Sequence, residues 1–331
     1  MKFIKEKYMP MQAQEKQKAI KLIKDEFEKR LASALELSRV SAPMVVTRES
    51  GLQDDLSGVE RPVSFDIKKD GAVLEIVQSL AKWKRFALLK YGFKPHTGLY
   101  TDMHAIRRDD KVDATHSIFV DQWDWEKAIL RTDRTLKYLK ETVQKIVDAI
   151  FETAKTLKQQ GIDVPEIETQ VYFISSEELL KMYPTLSAKQ REYEITKRFK
   201  TVFITQIGDI LSSGEPHDLR APDYDDWQLD GDLLVYHEVL DCALELSSMG
   251  IRVDKKAILM QLKKAEAEDR LEYAYHKGII DETLPLSIGG GIGQSRLCQY
   301  LLKRAHIGEV QASYWDEETR KMCAEFDIDL L

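Results

Sequence analysis

GGGIGQSRL, Gly289 to Leu297, carries four glycines in five positions and then Arg296 at the predicted start of a helix. Glycine lets a flat or bulky ligand approach the backbone where a side chain would intrude. An arginine just beyond can lay its guanidinium plane on an aromatic base or grip a phosphate. Two common nucleotide motifs do not fit. A dinucleotide fingerprint needs glycine at the Arg296 position, and a phosphate loop needs lysine plus serine or threonine after its last glycine. A turn with a helix cap accounts for one or two glycines but not four. The stretch reads as a nucleotide platform of another kind.

Upstream, RAPDYDDW (Arg220–Trp227) precedes Asp232 and then ELSSMGIR (Glu245–Arg252). Asp223, Asp225 and Asp226 read as a turn capped by Pro222. Asp232 and Glu245 frame a predicted strand pair leading toward the glycine run. Carboxylates on adjacent strands suit Mg²⁺, which takes one or two of them together with phosphate oxygens and water. Earlier still, GLYTDMHAIRR (Gly98–Arg108) contains Arg107, and HSIFVDQWDWE (His116–Glu126) alternates. Strand geometry would set Gln122, Asp124 and Glu126 opposite Phe119, Trp123 and Trp125. In SLAKWKR (Ser79–Arg85), a strand-like reading puts Lys82 and Lys84 opposite Trp83, either as a solvated basic edge or as cations aimed at an anionic substrate. QDDLSG (Gln53–Gly58), taken alone, reads as a solvated turn.

These clusters hang on a mixed scaffold. Helices are expected from about Gln14 to Leu37, from Arg134 to Lys158, from Asp254 past Leu271, and after Gly293. Ser175 with Glu178 and Ser187 with Gln190 form capping boxes that open two shorter ones. Val63–Ile67 and Val73–Val77 form a hairpin about Lys69-Asp70-Gly71, and Val171–Ile174, Thr201–Ile204 and Leu233–Tyr236 read as strands. Strands gather in hairpins with helices between groups, which predicts an α+β fold: an antiparallel sheet flanked by helices, residues 1–331 forming a single domain.

The 331 residues are 43% hydrophobic and 32% charged, with a net charge of −7. No apolar run reaches the roughly 18 residues of a membrane span. MKFIKEKYMP lacks the apolar core of an export signal. The acidic balance disfavours a broad nucleic-acid surface. Cys242, Cys298 and Cys323 lie far apart without metal-site spacing, which fits core packing in a reducing cytoplasm.

Taken together, QDDLSG, SLAKWKR, GLYTDMHAIR, HSIFVDQWDWE, RAPDYDDW, ELSSMGIRV and GGGIGQSRL resemble, in order, the aspartate–ammonia ligase family (asparagine synthetase type A). That family shares its catalytic fold with class II aminoacyl-tRNA synthetases. The resemblance implies ATP-dependent synthesis of L-asparagine from L-aspartate and ammonia, through β-aspartyl-AMP, with release of AMP and pyrophosphate. It implies that Arg107 grips the α-phosphate, Arg296 stacks on adenine beside Gly291, and Asp232 and Glu245 hold Mg²⁺ and ATP. By the same resemblance Lys84 meets a substrate carboxylate. Gln122, Asp124, Asp54 and Asp225 surround bound aspartate, with Ser247 and Ser248 close by. Asp54 has a second candidate role, accepting a proton from the attacking nitrogen. Pro43 resembles the proline of a class II homodimer interface.

The alternative is an aspartyl- or asparaginyl-type aminoacyl-tRNA synthetase. Against it stand the early start of the first helix, which leaves no expected anticodon-binding domain, and the acidic balance. A glutamine-dependent amide synthetase is disfavoured because Lys2 follows Met1 and no cysteine has an amidase setting. Free ammonia is the expected nitrogen donor.

Overall fold

Apolar periodicity sets the first long helix, α1 (Ala13–Leu35), which buries Ile20, Ile23, Phe27 and Leu31 along one stripe and ends at Glu36 in a left-handed conformation. The computed structural model describes residues 3–56 and 60–331; Met1 and Lys2 of the amino-terminal segment, and Ser57 and Gly58 of the QDDLSG loop, lie outside the described residues.

In chain order the strands are β1 (Leu37–Arg39), β2 (Val45–Val46), β3 (Ser64–Asp66), β4 (Val73–Ile76), β5 (Gly98–Ile106), β6 (Phe119–Ala128), β7 (Tyr172–Ser175), β8 (Thr201–Thr205), β9 (Asp225–His237), β10 (Cys242–Arg252) and β11 (Ser287–Gly293). Eight of them form the main sheet in the order β1-β5-β6-β11-β10-β9-β8-β7. Its outermost pairs, β1 with β5 and β7 with β8, are parallel, and every pair between is antiparallel. The expected hairpin is β3–β4, part of a small second sheet.

The remaining helices are α2 (Ala81–Tyr91), α3 (Leu136–Gln159), α4 (Ser176–Met182), α5 (Ala188–Phe199), α6 (Lys255–Lys264), α7 (Ala274–Ile280), α8 (Gln294–Leu301) and α9 (Glu317–Glu325). Both short capping boxes form as the sequence prescribes. Helices α1 and α3 pack together and share one apolar cluster with Trp123, Trp125, Ile288 and Ile292 of the sheet. Strand alternation turns Gln122 and Asp124 to the opposite face. Among the described residues no helix is long and apolar enough to cross a membrane.

Several expectations need correction. SLAKWKR is not strand-like; it opens α2, where Ala81, Lys82, Arg85 and Leu88 follow a helical burial pattern. A charged alternation four residues long fits either period. Asp225 and Asp226 begin β9 instead of completing a turn. The helix capped by Asp254 stops at Lys264, because Glu266 adopts a positive φ of 52°, and a short 3-10 turn and α7 follow. Apolar spacing continues across that break, so periodicity alone cannot reveal it. Helix α9 has no counterpart among the sequence expectations.

The glycine run is not a loop. It forms β11, paired on both sides by β10 and β6 at the centre of the sheet. All four glycines keep negative φ, so glycine serves here by giving room to neighbours. A Cβ on Gly290 would sit 2.5 Å from Met249 Cβ and 2.8 Å from the Ser248 carbonyl oxygen, both on the adjoining strand. Gly290→Ala is therefore expected to destabilise the fold by about 1–3 kcal/mol. Urea unfolding should show a lower midpoint at unchanged slope; an unchanged midpoint would mean that β10 yields freely.

Candidate active site

The sheet face opposite α1 and α3 carries a cleft of about 570 Å³. Asp54, Lys84, Arg107, Gln122, Asp124, Asp225, Glu245, Ser248, Gly291 and Arg296 all line it. Two residues assigned from the sequence do not form its wall. Ser247 is buried with its Oγ unpartnered, and Asp232 lies behind Arg220, which does line the cleft. Phe119, expected with the core tryptophans, lines the cleft instead.

The floor is built from buried ion pairs. Lys84 Nζ donates to Asp124 Oδ1 at 2.9 Å and to the Gly290 carbonyl at 2.8 Å. An ammonium has three donors, so one is left for a ligand. Asp124 Oδ2 is buried without a partner and offers an acceptor beside it. Next to this pair, Arg252 bridges two acids: its Nε and Nη2 donate to Glu126, the latter at 2.7 Å, and its Nη1 to Asp225. Ser287 Oγ adds a bond to Glu126 at 2.6 Å. Burial pushes both carboxyls up. At Glu126 the opposing Arg252 charge and its hydrogen bonds win, leaving it below the usual range, while Asp225 stays above it with Glu126 adding repulsion.

Asp54 occupies a separate corner. The turn expected to be solvated is buried at Gln53 and Asp54. Asp54 Oδ1 accepts from the Leu56 N–H at 2.8 Å and Oδ2 accepts from Ser79 Oγ. Burial raises its proton affinity, offset in part by Lys82 and the Ser79 hydrogen bond. Lys82 is no solvated edge either: its Nζ donates to the Gln53 carbonyl at 3.1 Å and pairs with Asp223 Oδ2 at 2.8 Å. Asp223 also takes Arg270 and His276, each at 3.0 Å, and so fastens the Asp54 loop to the turn before β9.

Cations gather along the cleft. Arg107 donates through Nε and Nη2 to the Gln78 carbonyl, at 3.2 and 3.1 Å. Arg296 donates to the Thr115 and Glu245 carbonyls and holds its Nη1 3.9 Å from Glu245 Oε1. Arg220 pairs with Asp232 Oδ2. Guanidinium groups converging on one cleft suit a polyanion.

Asp232 Oδ1 is buried without a partner. Burial, opposed by Arg220 and reinforced by Glu245, raises the proton affinity of Asp232. Two like charges with free ligand capacity fit a hard divalent cation completed by phosphate and water. Among the described residues no cluster of three or more metal-ligating side chains forms.

The sequence reading missed Arg220, Arg252 and Ser79 as individuals, although each stood inside a quoted motif. For Arg252 the available signal was an arginine at a buried strand position, since arginine is almost never fully buried unless paired.

The chain is similar to known proteins in sequence and in fold. The family model described as aspartate-ammonia ligase matches residues 14–327. A curated aspartate–ammonia ligase of Bacillus mycoides (strain KBAB4) is 54% identical over 324 residues, covering 97% of this chain and 98% of that protein. One from Clostridium tetani (strain Massachusetts / E88) is 54% identical over 95% of this chain and 92% of its own. Among solved structures, asparaginyl-tRNA synthetase of Entamoeba histolytica in complex with asparaginyl-adenylate superimposes with a TM-score of 0.64 at 13% identity, covering 90% of this chain and 66% of that one. The Pyrococcus horikoshii enzyme complexed with asparaginyl-adenylate gives a TM-score of 0.62 at 16% identity, over 89% of this chain and 68% of the other. The chain thus spans about two thirds of these synthetases, which share its fold, the class II catalytic fold. Near-full-length identity above one half goes further than fold, and on that ground the chain belongs to the aspartate–ammonia ligase family.

Proposed function

We propose that the chain makes L-asparagine from L-aspartate and ammonia, using ATP, by way of β-aspartyl-AMP, and releases AMP and pyrophosphate. The observation that carries this reading is that Arg107 and Arg296 open onto one cleft whose floor holds Lys84 and Asp124.

A carboxylate cannot accept an amine directly, because the leaving group would be oxide. Its oxygen attacks the α-phosphorus of ATP as the bond to pyrophosphate breaks, and Arg107 neutralises the charge gathering on the α-phosphate. Arg296 holds adenine against its guanidinium plane, beside Gly291, whose missing side chain leaves room for the Gln122 amide. The free oxygen of Asp124 takes the α-ammonium of aspartate, and the spare donor of Lys84 takes a carboxylate. Gln122, Asp225 and Ser248 complete the substrate surroundings; Ser247, which the resemblance had placed with them, lies behind the wall. Asp232 and Glu245 hold Mg²⁺, whose charge, when it is bound, offsets that of the phosphates.

In the second half, nitrogen attacks the acyl carbon, the bond to the AMP oxygen breaks, and AMP leaves with the electron pair. Asp54 takes the proton shed by nitrogen. An ordinary aspartate, near pKa 3.9, is a weak base for this; burial of Asp54 moves it in the needed direction. Asp54→Asn is expected to keep aspartate-dependent pyrophosphate release but to lower asparagine formation by about 10²–10⁴. A base works deprotonated, so amide formation should fall as pH drops through the raised pKa of Asp54. That acid limb should vanish in the Asn variant. Full amide synthesis by the variant removes the base role.

The enzyme works as a homodimer of single catalytic domains, residues 1–331, in the cytoplasm and without nucleic acid. The class II resemblance about Pro43 supports the dimer. An assay with ATP, Mg²⁺, aspartate and either ammonium or glutamine tests the whole. Ammonium alone should yield AMP and asparagine. AMP that instead required tRNA would hand the site to the synthetase reading.

A further inference from the structure

Both acids assigned to the divalent cation are already engaged by guanidinium groups of the same cleft. Asp232 Oδ2 pairs with Arg220 Nη2, and Glu245 Oε1 lies 3.9 Å from Arg296 Nη1. Arg220 lines the cleft, yet its side chain is only 15% exposed and the charge it brings there is taken up by Asp232. The remaining oxygen of Asp232 is buried and unpartnered. An acid half-satisfied by an arginine leaves both with unused bonding capacity at the edge of the cleft that Arg220 lines.

We propose that Arg220 is a phosphate-binding residue held in reserve by Asp232: when a nucleotide enters with its divalent cation, Asp232 turns to the cation and releases the Arg220 fork to the departing pyrophosphate end. This rests on the ATP-dependent reading above and extends it to a residue without an assigned role. Charge accounting favours the exchange. Phosphates arriving alone must break the Arg220–Asp232 pair and leave a buried carboxylate facing an anion. A cation arriving alone leaves a guanidinium unpaired. Arriving together, each charge trades one partner for another, so metal and phosphate bind cooperatively. A planar fork suits phosphate oxygens better than a point charge does.

The probe is inorganic pyrophosphate, titrated calorimetrically with and without Mg²⁺ into the full-length protein, Asp232→Asn, Arg220→Met and the double variant. Without Mg²⁺, Asp232→Asn should bind pyrophosphate about ten- to a hundredfold more tightly than the parent, the range of one released charge-assisted bond. Removing an acid also lessens repulsion, whatever Arg220 does. The double variant separates the two effects: the gain should be largely lost in it. Mg²⁺ should tighten pyrophosphate binding more in the parent than in Arg220→Met. No gain in Asp232→Asn, or a gain that persists in the double variant, overturns the exchange. A parent protein that binds neither pyrophosphate nor ATP in the presence of Mg²⁺ overturns the nucleotide reading itself. Cooperative thermal unfolding checks each variant, and Asp232→Ser replaces Asp232→Asn if the latter does not fold.

Discussion

Arg252→Met is expected to cost about 3–5 kcal/mol of folding stability, the largest structural effect of a single substitution in this cleft. The guanidinium is buried and shared between Glu126 and Asp225, with Ser287 completing the set. Methionine matches its length and apolar stem but leaves two buried carboxylates without their cation. The deficit should depend on pH, and its sign follows from Glu126. In the parent, Arg252 overcomes burial and holds the Glu126 carboxyl below its ordinary value. The stability this contributes is present above the unfolded pKa of about 4.3 and is lost as pH falls through the folded one. In the variant, burial acts unopposed by Arg252, and protonation relieves the strain. The difference in unfolding free energy should therefore be largest near neutrality and shrink toward pH 5 and below. Denaturant unfolding at several pH values measures it. A constant difference would show that lost packing, and not uncompensated charge, is the cause.

Arg252 also shows where the sequence ceased to be legible. The alternation in HSIFVDQWDWE placed Trp123 and Trp125 in the core and Gln122 and Asp124 on the cleft, because a regular strand has a fixed period. The same reasoning fails in ELSSMGIR. The register of β10 against β9 shifts between Glu245 and Ser247. An irregularity of that kind changes which side chains share a face. Glu245 and Ser248 reach one wall, three positions apart, while Ser247 does not. No residue in the motif announces the shift. Lys82 and Lys84 illustrate a different loss: their cationic character was evident, but their partners, Asp223 and Asp124, lie far along the chain. GGGIGQSRL, in turn, lines the cleft, and what its glycines do there needed the fold. Its glycines make room for Met249 and for the side chains of Glu126 and Gln122, as well as for any ligand.

Arg107→Met should have the largest effect on chemistry, lowering the rate of aspartate-dependent ATP–pyrophosphate exchange by about 10²–10³ with little change in stability. Its guanidinium lines the cleft and, among the described residues, donates only to the Gln78 carbonyl, through Nε and Nη2. That anchor fixes the fork without neutralising it, since a carbonyl carries no net charge. Arg220 and Arg296 stand within ion-pair distance of carboxylates, whereas Asp110 feels the Arg107 charge without forming an ion pair with it among the described residues. Arg107 is thus the guanidinium whose charge is most available to a phosphate as charge builds on it. An interaction made mainly in the transition state should depress kcat while the KM for ATP moves much less. Arg107→Lys keeps the charge but loses the planar fork, so it should fall between the parent and the methionine variant. A rise in KM at unchanged kcat would instead make Arg107 a residue of ground-state binding. Normal exchange in the methionine variant would leave the adenylation step to the remaining cations, and the alignment of aspartate with ATP would then have to be rebuilt around Lys84.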